Sequence, residues 1–292
     1  MRWSLLARAV GGVVCLAGCA ALAGIDDGDP HGKAPGDAND GGGNVPLGEG
    51  GGPSEGGGFL PDGAPCAAGN AVESAAVLHA QHVQPQAPVK LDGAGDEWAC
   101  VDRFAFTGGQ RVMGLVDGRG VADIAIQWDE QHLYVLANVV TASPTADAGR
   151  LQNFNNDSLS VFVVGPTPGT TYTANDHHIA IDSAGLVADY AIGARTSVAG
   201  IAAAVSTPVD SGGFLKFTIE LQIDASIFRG EALKAADRIG MNFQINDAPD
   251  VANHYRVWFV DPAKCTKLAS CTVSGTSEPY CDPRCMGEVV LR

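Results

Sequence analysis

"FLKFTIELQI", Phe214–Ile223, decides the fold. Leu215, Phe217, Ile219, Leu221 and Ile223 fall on one side of an extended chain, and Phe214, Lys216, Thr218, Glu220 and Gln222 on the other. A period of two belongs to a strand, and the mixed second side to a sheet with one wet face. A helix would instead need apolar residues three and four apart. "DSGG", Asp210–Gly213, reads as the turn before it.

Runs of the same kind recur along the chain, with turn residues between them. They are expected near Val89–Asp92, Arg111–Leu115, Ala122–Trp128, Leu133–Val140, Leu159–Val164, His178–Asp182, Leu186–Ile192, Ala202–Thr207, Arg238–Asn246, Tyr255–Val260 and Glu288–Leu291. Helical pattern is confined to Ala225–Phe228 and Gly230–Ala236. Many short strands and little helix imply an all-β, antiparallel two-sheet β-sandwich, jelly-roll-like.

The ends of the chain read differently. "MRWSLLARAVGGVVCLAGCA" begins with Arg2 and Arg8, continues as an apolar run and closes on small residues. That is the order of a secretory signal, too short for a good membrane span. "LAGC", Leu16–Cys19, resembles the bacterial lipoprotein box, which implies residues 1–18 as a signal peptide and Cys19 as the lipidated first residue of the mature chain. The localisation this implies is the bacterial cell envelope, facing periplasm or exterior, held to the membrane by acyl chains alone. From Asp26 to Pro65 stand 14 Gly, 6 Pro and 8 acidic residues against one Lys. Such a stretch cannot bury enough apolar surface to offset its ordering entropy. Residues 19–65 are therefore expected to form a flexible acidic tether, with a reach of roughly 40 Å by random-coil scaling.

Residues 66–292 are left as one domain. Removing the tether's −7 and the leader's +2 from the chain's −15 leaves it at −10. That charge argues against nucleic acid and anionic lipid as partners. Its six cysteines, Cys66, Cys100, Cys265, Cys271, Cys281 and Cys285, are even in number in an oxidising compartment, so three disulfides are expected. Fifteen pairings are possible; Cys66 with Cys100 is the favoured first, leaving the other four to brace a C-terminal loop. Zinc is disfavoured, because "CDPRC" and "CTKLASC" lack the two-residue spacing and no His lies near them.

Several stretches together resemble family 9 carbohydrate-binding modules. "KLDGAGDEWAC" is similar to their opening turn, and "VADIAIQWDEQHLYVLANVV" to the next signature. "NFNNDSLSVFV", "GGFLKFTIEL" and "RIGMNFQINDAPD…YRVWFVDP" follow in the family's order, so the resemblance spans Val89 to Pro262. It implies a β-sandwich that binds the ends of glucans, xylans or small sugars, often with bound calcium.

On that resemblance the ligand pocket lies at the loop before Asp157. Sugar sites set an aromatic face against the C–H side of the ring and polar groups against its hydroxyls. The family's Trp three residues before the Asp-Ser is Phe154 here; its Glu two residues after the Ser is Ser160. Its next-strand Arg falls at His178, Ile179 or Ala180, and its C-terminal Trp has no counterpart beyond Asp261-Pro262. The candidate carbohydrate-binding residues are thus Phe154, Asn153, Asn155, Asn156, Ser160, His177 and His178. Calcium, if bound, needs several hard oxygens, and the turns offer Asp92, Glu97, Asp129, Asp247, Asp250 and Asp261.

Bland roles compete at each position. Trp98, Trp128 and Trp258 sit in apolar contexts and read as core; "WDEQHLYV" is a hairpin; His79 and His82 read as surface residues. There is no Gly-x-Ser-x-Gly nucleophile elbow. A haem-bearing relative would need Met113, Met241 or a His as ligand, and no attachment motif supports it. The sequence therefore points to a non-catalytic carbohydrate-binding module. The alternative is a structural or adhesion sandwich whose partner is an envelope protein.

Overall fold

The computed structural model describes residues 77–105, 111–113, 121–141, 156–166, 169, 171–191, 199–211, 214–247, 255–258, 272–273, 276–277, 283 and 286–292. In chain order the elements are β1 (Val77–His82), β2 (Arg103–Ala105), β3 (Arg111–Met113), β4 (Val121–Trp128), β5 (His132–Thr141), β6 (Ser158–Val164), β7 (His177–Asp182) and β8 (Val187–Asp189). They continue with β9 (Ile201–Val205), β10 (Val209–Ser211), β11 (Phe214–Asp224), α1 (Ala225–Phe228), β12 (Arg238–Asp247), β13 (Tyr255–Trp258), β14 (Thr272–Val273), β15 (Thr276–Ser277) and β16 (Gly287–Leu291).

The all-β expectation holds. Among the described residues, 14 strands are linked in one sheet whose main path runs β10-β11-β5-β4-β1-β16-β12-β6-β7-β8. The expected pair of separate sheets is not what the ladder shows, and β1 is the reason. Its first four residues pair with β16, Val77 opposite Glu288 to Ala80 opposite Leu291, and its last two, Gln81 and His82, pair with Gln127 and Trp128 of β4. Both pairings are parallel, whereas the long ladders on either side are antiparallel.

One hydrophobic core takes side chains from both runs of strands. Ile124, Ile126, Val135, Ala137, Phe217, Ile219, Leu221 and Ile223 come from β4, β5 and β11; Leu159, Val161, Ile179, Ile181, Phe243 and Ile245 come from β6, β7 and β12. Each is at most 2% exposed, and burying such a side chain stabilises by about 1.5–3 kcal/mol. Met241 is part of this core and not exposed to any ligand. The alternation read in Phe214–Ile223 is the register of β11. Its other side is less wet than expected, because Glu220 is fully buried.

Trp98 and Trp128 lie in cores, as expected, at 0% and 3% exposure; the side chain of Trp258 lies outside the description. The Asp129–His132 hairpin is present, closed by the Asp129 N–H on the His132 carbonyl at 3.0 Å. Other local expectations need correction. Residues 89–92 are not a strand, and the first strand is β1, so His79 and His82 sit within the sheet. His82 packs edge-on against Trp128, ring centroids 4.6 Å apart. Asp210 and Ser211 belong to β10, paired with Leu215 and Phe214. Helix stops at Phe228: the Arg229 and Gly230 N–H groups both return to the Ala225 carbonyl, and Gly230 takes φ 76°.

Candidate functional site

The loop into β6 and the strands beside it carry the sequence-derived binding residues. Phe154, Asn153 and Asn155 lie outside the described residues. The loop's exit is described, and it is tied down. Asn156, 2% exposed, donates from Nδ2 to Asp182 Oδ2 at 3.1 Å, and the Asp157 carbonyl accepts the Ser183 N–H at 2.9 Å. Asp182 Oδ1 meanwhile accepts the Ala184 and Leu186 N–H groups at 3.1 and 2.9 Å. One carboxylate thus fixes both the β7–β8 turn and the entry to β6.

Because β6 sends its odd-numbered residues into the core, its even-numbered residues face away from it. Register then aligns three rows across β12, β6 and β7: Asn246–Ser158–Asp182, Gln244–Ser160–Ala180 and Asn242–Phe162–His178. Ala188 extends the second row, and the Tyr190 N–H on the His178 carbonyl at 2.9 Å brings Tyr190 beside the third. Every member is at most 6% exposed.

The upper rows are amide and hydroxyl chemistry. Asn246 Nδ2 donates to Ser158 Oγ at 2.9 Å and Ser160 Oγ at 3.3 Å, and Gln244 Nε2 donates to Asn246 Oδ1. Gln244 Oε1 is buried without a partner among the described residues. The lower row is aromatic. Phe162 and His178 stack with centroids 4.2 Å apart and planes at 18°, and Tyr190 tilts onto His178 at 5.6 Å. Ser160 therefore receives a hydrogen bond where the family pattern has a carboxylate, and His178 serves as one layer of a stack.

His177 points elsewhere. It is 2% exposed, with Nδ1 2.8 Å from Asp189 Oδ2 and Nε2 3.2 Å from the Ile227 carbonyl. Burial alone would raise the Asp189 pKa. The bond to His177 and the backbone N–H groups of Ala191 and His178 outweigh it and hold the carboxyl below its ordinary 3.8.

The described acidic turn residues are each taken up by their own turns. Asp129 Oδ1 accepts the Gln131 and His132 N–H groups, each at 2.7 Å, and Oδ2 accepts the Tyr134 hydroxyl at 2.8 Å. Asp92 Oδ1 caps the Ala94 N–H at 2.9 Å, and Glu97 accepts the Lys90 N–H. These carboxylates are anchors of their own turns. Among the described residues no group of three or more His, Cys, Asp or Glu is placed to hold a metal ion. The side chain of Asp247, and Asp250 and Asp261 entirely, lie outside the description, as does Cys19. Cys100 is disulfide-bonded; the other five cysteines of the domain are outside the described residues.

Sequence reasoning missed Asn242, Gln244 and Asn246, although the signal was present. In "MNFQIN" they alternate with Met241, Phe243 and Ile245, so a strand with one core face must put three carboxamides side by side on the other.

Residues 92–292 match the family model for the carbohydrate family 9 binding domain-like family. No curated protein matches the chain. Two solved structures of a family 9 carbohydrate binding module from Caldicellulosiruptor kristjanssonii, one in complex with cellotriose and one with glucose, have similar folds. Their TM-scores are 0.54 and 0.53, at 17% identity each; 74% of this chain aligns with 93% and 95% of theirs.

Proposed function

The chain belongs to the carbohydrate family 9 binding domain-like family, and from that premise we propose that it is a non-catalytic module that binds a carbohydrate at the loop entering β6. The family match over residues 92–292 carries this reading. The local geometry supports it: the Asn156–Asp182 bond and the carboxamide rows fix the entry to β6, and a point fixed before binding costs no ordering entropy when the ligand arrives. Phe154 is the stacking face and the neighbouring Asn side chains reach the hydroxyls. The buried grid holds the start of β6; it does not touch the sugar.

In this reading the two runs of strands act as the two layers of a sandwich over their shared core. The chain is secreted, held to the bacterial envelope by acyl groups on Cys19 and spaced from the membrane by residues 19–65. Binding serves to hold the bearer against a polysaccharide end or oligosaccharide.

A glycan array probed with the purified chain tests this. At least one neutral glycan is retained, and Phe154→Ala weakens its binding about tenfold, the worth of a lost stacking face. Retention of no glycan overturns the reading. The burial of every member of the β6–β7–β12 grid, which leaves no polar group of it open to a sugar, favours a second one, an adhesion domain with a protein partner. Cross-linking in intact cells to an envelope protein, with no glycan bound, would establish that instead.

A further inference from the structure

The other run of strands carries a concavity lined, among the described residues, by none of the candidate sugar-binding side chains. It has a volume of about 590 Å³, inside the range of ordinary ligand pockets. Its floor is set by register. Asp123 on β4, Asn138 on β5 and Thr218 on β11 are directly paired, so one polar row crosses three neighbouring strands. The next row places Val140 beside Lys216, and Lys216 beside Val209 on β10. Gly93 closes one side at φ 78°, and a Cβ there would stand 2.9 Å from the Ser206 nitrogen, so only a glycine admits this approach.

Hydrogen-bond accounting shows what is left over. Asn138 Oδ1 accepts the Thr218 hydroxyl at 2.9 Å, which directs the other end of the amide, two N–H donors, away from that bond; they have no partner among the described residues. Asp123 is answered by Arg103, at 3.0 Å. Lys216 has no anionic partner among the described residues, in a chain with 33 acidic residues and 18 basic ones. Among the described residues the pocket therefore keeps the Asn138 amide donors and the Lys216 ammonium unanswered, beside an Asp123 carboxylate already held by Arg103. Beside it lies an apolar strip, Val140 and the 59% exposed Val209.

We propose that this pocket is a second ligand site, and that it takes a carboxylated sugar: a hexuronic acid residue with its carboxylate on Lys216, a hydroxyl on the Asn138 amide and its C–H face on Val140 and Val209. The proposal is independent of the loop at Phe154. A neutral hexose would leave the lysine unanswered, whereas a simple carboxylate would leave the apolar strip bare.

The test titrates the full chain with sodium glucuronate, D-glucose and sodium acetate at constant ionic strength, followed by amide chemical shifts. Glucuronate binds in the millimolar range and perturbs residues of β5, β10 and β11. Glucose, which lacks the carboxylate, is at least about tenfold weaker at those residues, the lower end of a charge-assisted bond's worth, and acetate, which lacks the ring, is also weaker than glucuronate. Lys216→Ala and Asn138→Asp both weaken glucuronate, the first by about tenfold, while Phe154→Ala leaves it unchanged. Lys216 is exposed, so its variant folds. Glucuronate binding that is unaffected by Lys216→Ala, matched by acetate or glucose, or abolished by Phe154→Ala overturns the proposal.

Discussion

The two faces that turn away from the core are built on the same strand arithmetic and end in opposite states. On β6, β7 and β12, polar and aromatic residues are knitted to one another and shut off from water. On β4, β5 and β11, the same face is buried at one end, at Ala125, Leu136 and Glu220, but at Asp123, Asn138, Lys216 and Thr218 it stays partly exposed around a hollow. Alternation alone does not separate them; what differs is how far the polar groups are bonded within the sheet and covered from water. A face that satisfies itself supports structure, and a face left with surplus donors has something to offer a ligand.

Mutations can break or sharpen that contrast. The largest effect is expected from Phe162→Ala. The ring is fully buried and stacked on His178, so the loss is about 3–5 kcal/mol, read as a lowered urea midpoint. Asp189→Asn comes next, at about 1.5–3 kcal/mol near neutral pH. Because the folded pKa of Asp189 is depressed, its contribution is complete above its ordinary 3.8 and is lost as pH falls through the folded value. The variant should therefore show a flatter acid limb in a stability–pH profile.

Glu220→Gln is the smallest and has the opposite sign. Burial, the first cause, and the nearby carboxylates of Glu97 and Asp92 raise the Glu220 pKa above 4.5, although its Oε2 accepts the Asp92 and Gly93 N–H groups at 2.9 and 2.7 Å. With the folded value raised, the group favours the fold below the unfolded value and loses that advantage as pH rises through the folded one. Glutamine keeps an acceptor for both N–H groups and carries no charge. It should stabilise the protein by about 1 kcal/mol at pH 7 and remove the decline in stability above pH 4.5. An unchanged profile would mean that Glu220 is not titrating where burial places it.

These residues also show what the sequence could convey. Phe214–Ile223, Leu133–Val140 and Leu159–Val164 announce their strands, because one face is uniformly large and apolar and period two is then unmistakable. β1 escapes notice because "VLHAQH" brings only Leu78 and Ala80 to full burial, and its place is set by partners far along the chain, Glu288–Leu291 and Gln127–Trp128. Glu220 and the Asn242, Gln244, Asn246 series were legible as the side opposite the core but not as buried. Polarity in alternate positions looks the same whether the partner is water or another side chain, and only the cross-strand register distinguishes them.

The double pairing of β1 has a mechanical side. The segment before Val77 enters the domain through a strand that lies parallel to β16 and then to β4, and Arg292 fastens it further, with its N–H on the Ala80 carbonyl and its own carbonyl accepting the His82 N–H and the Trp128 indole. A pull on that segment resisted by β4 and β16 runs along the strand and not across it, so the load is shared among all the rungs in shear instead of peeling them one at a time.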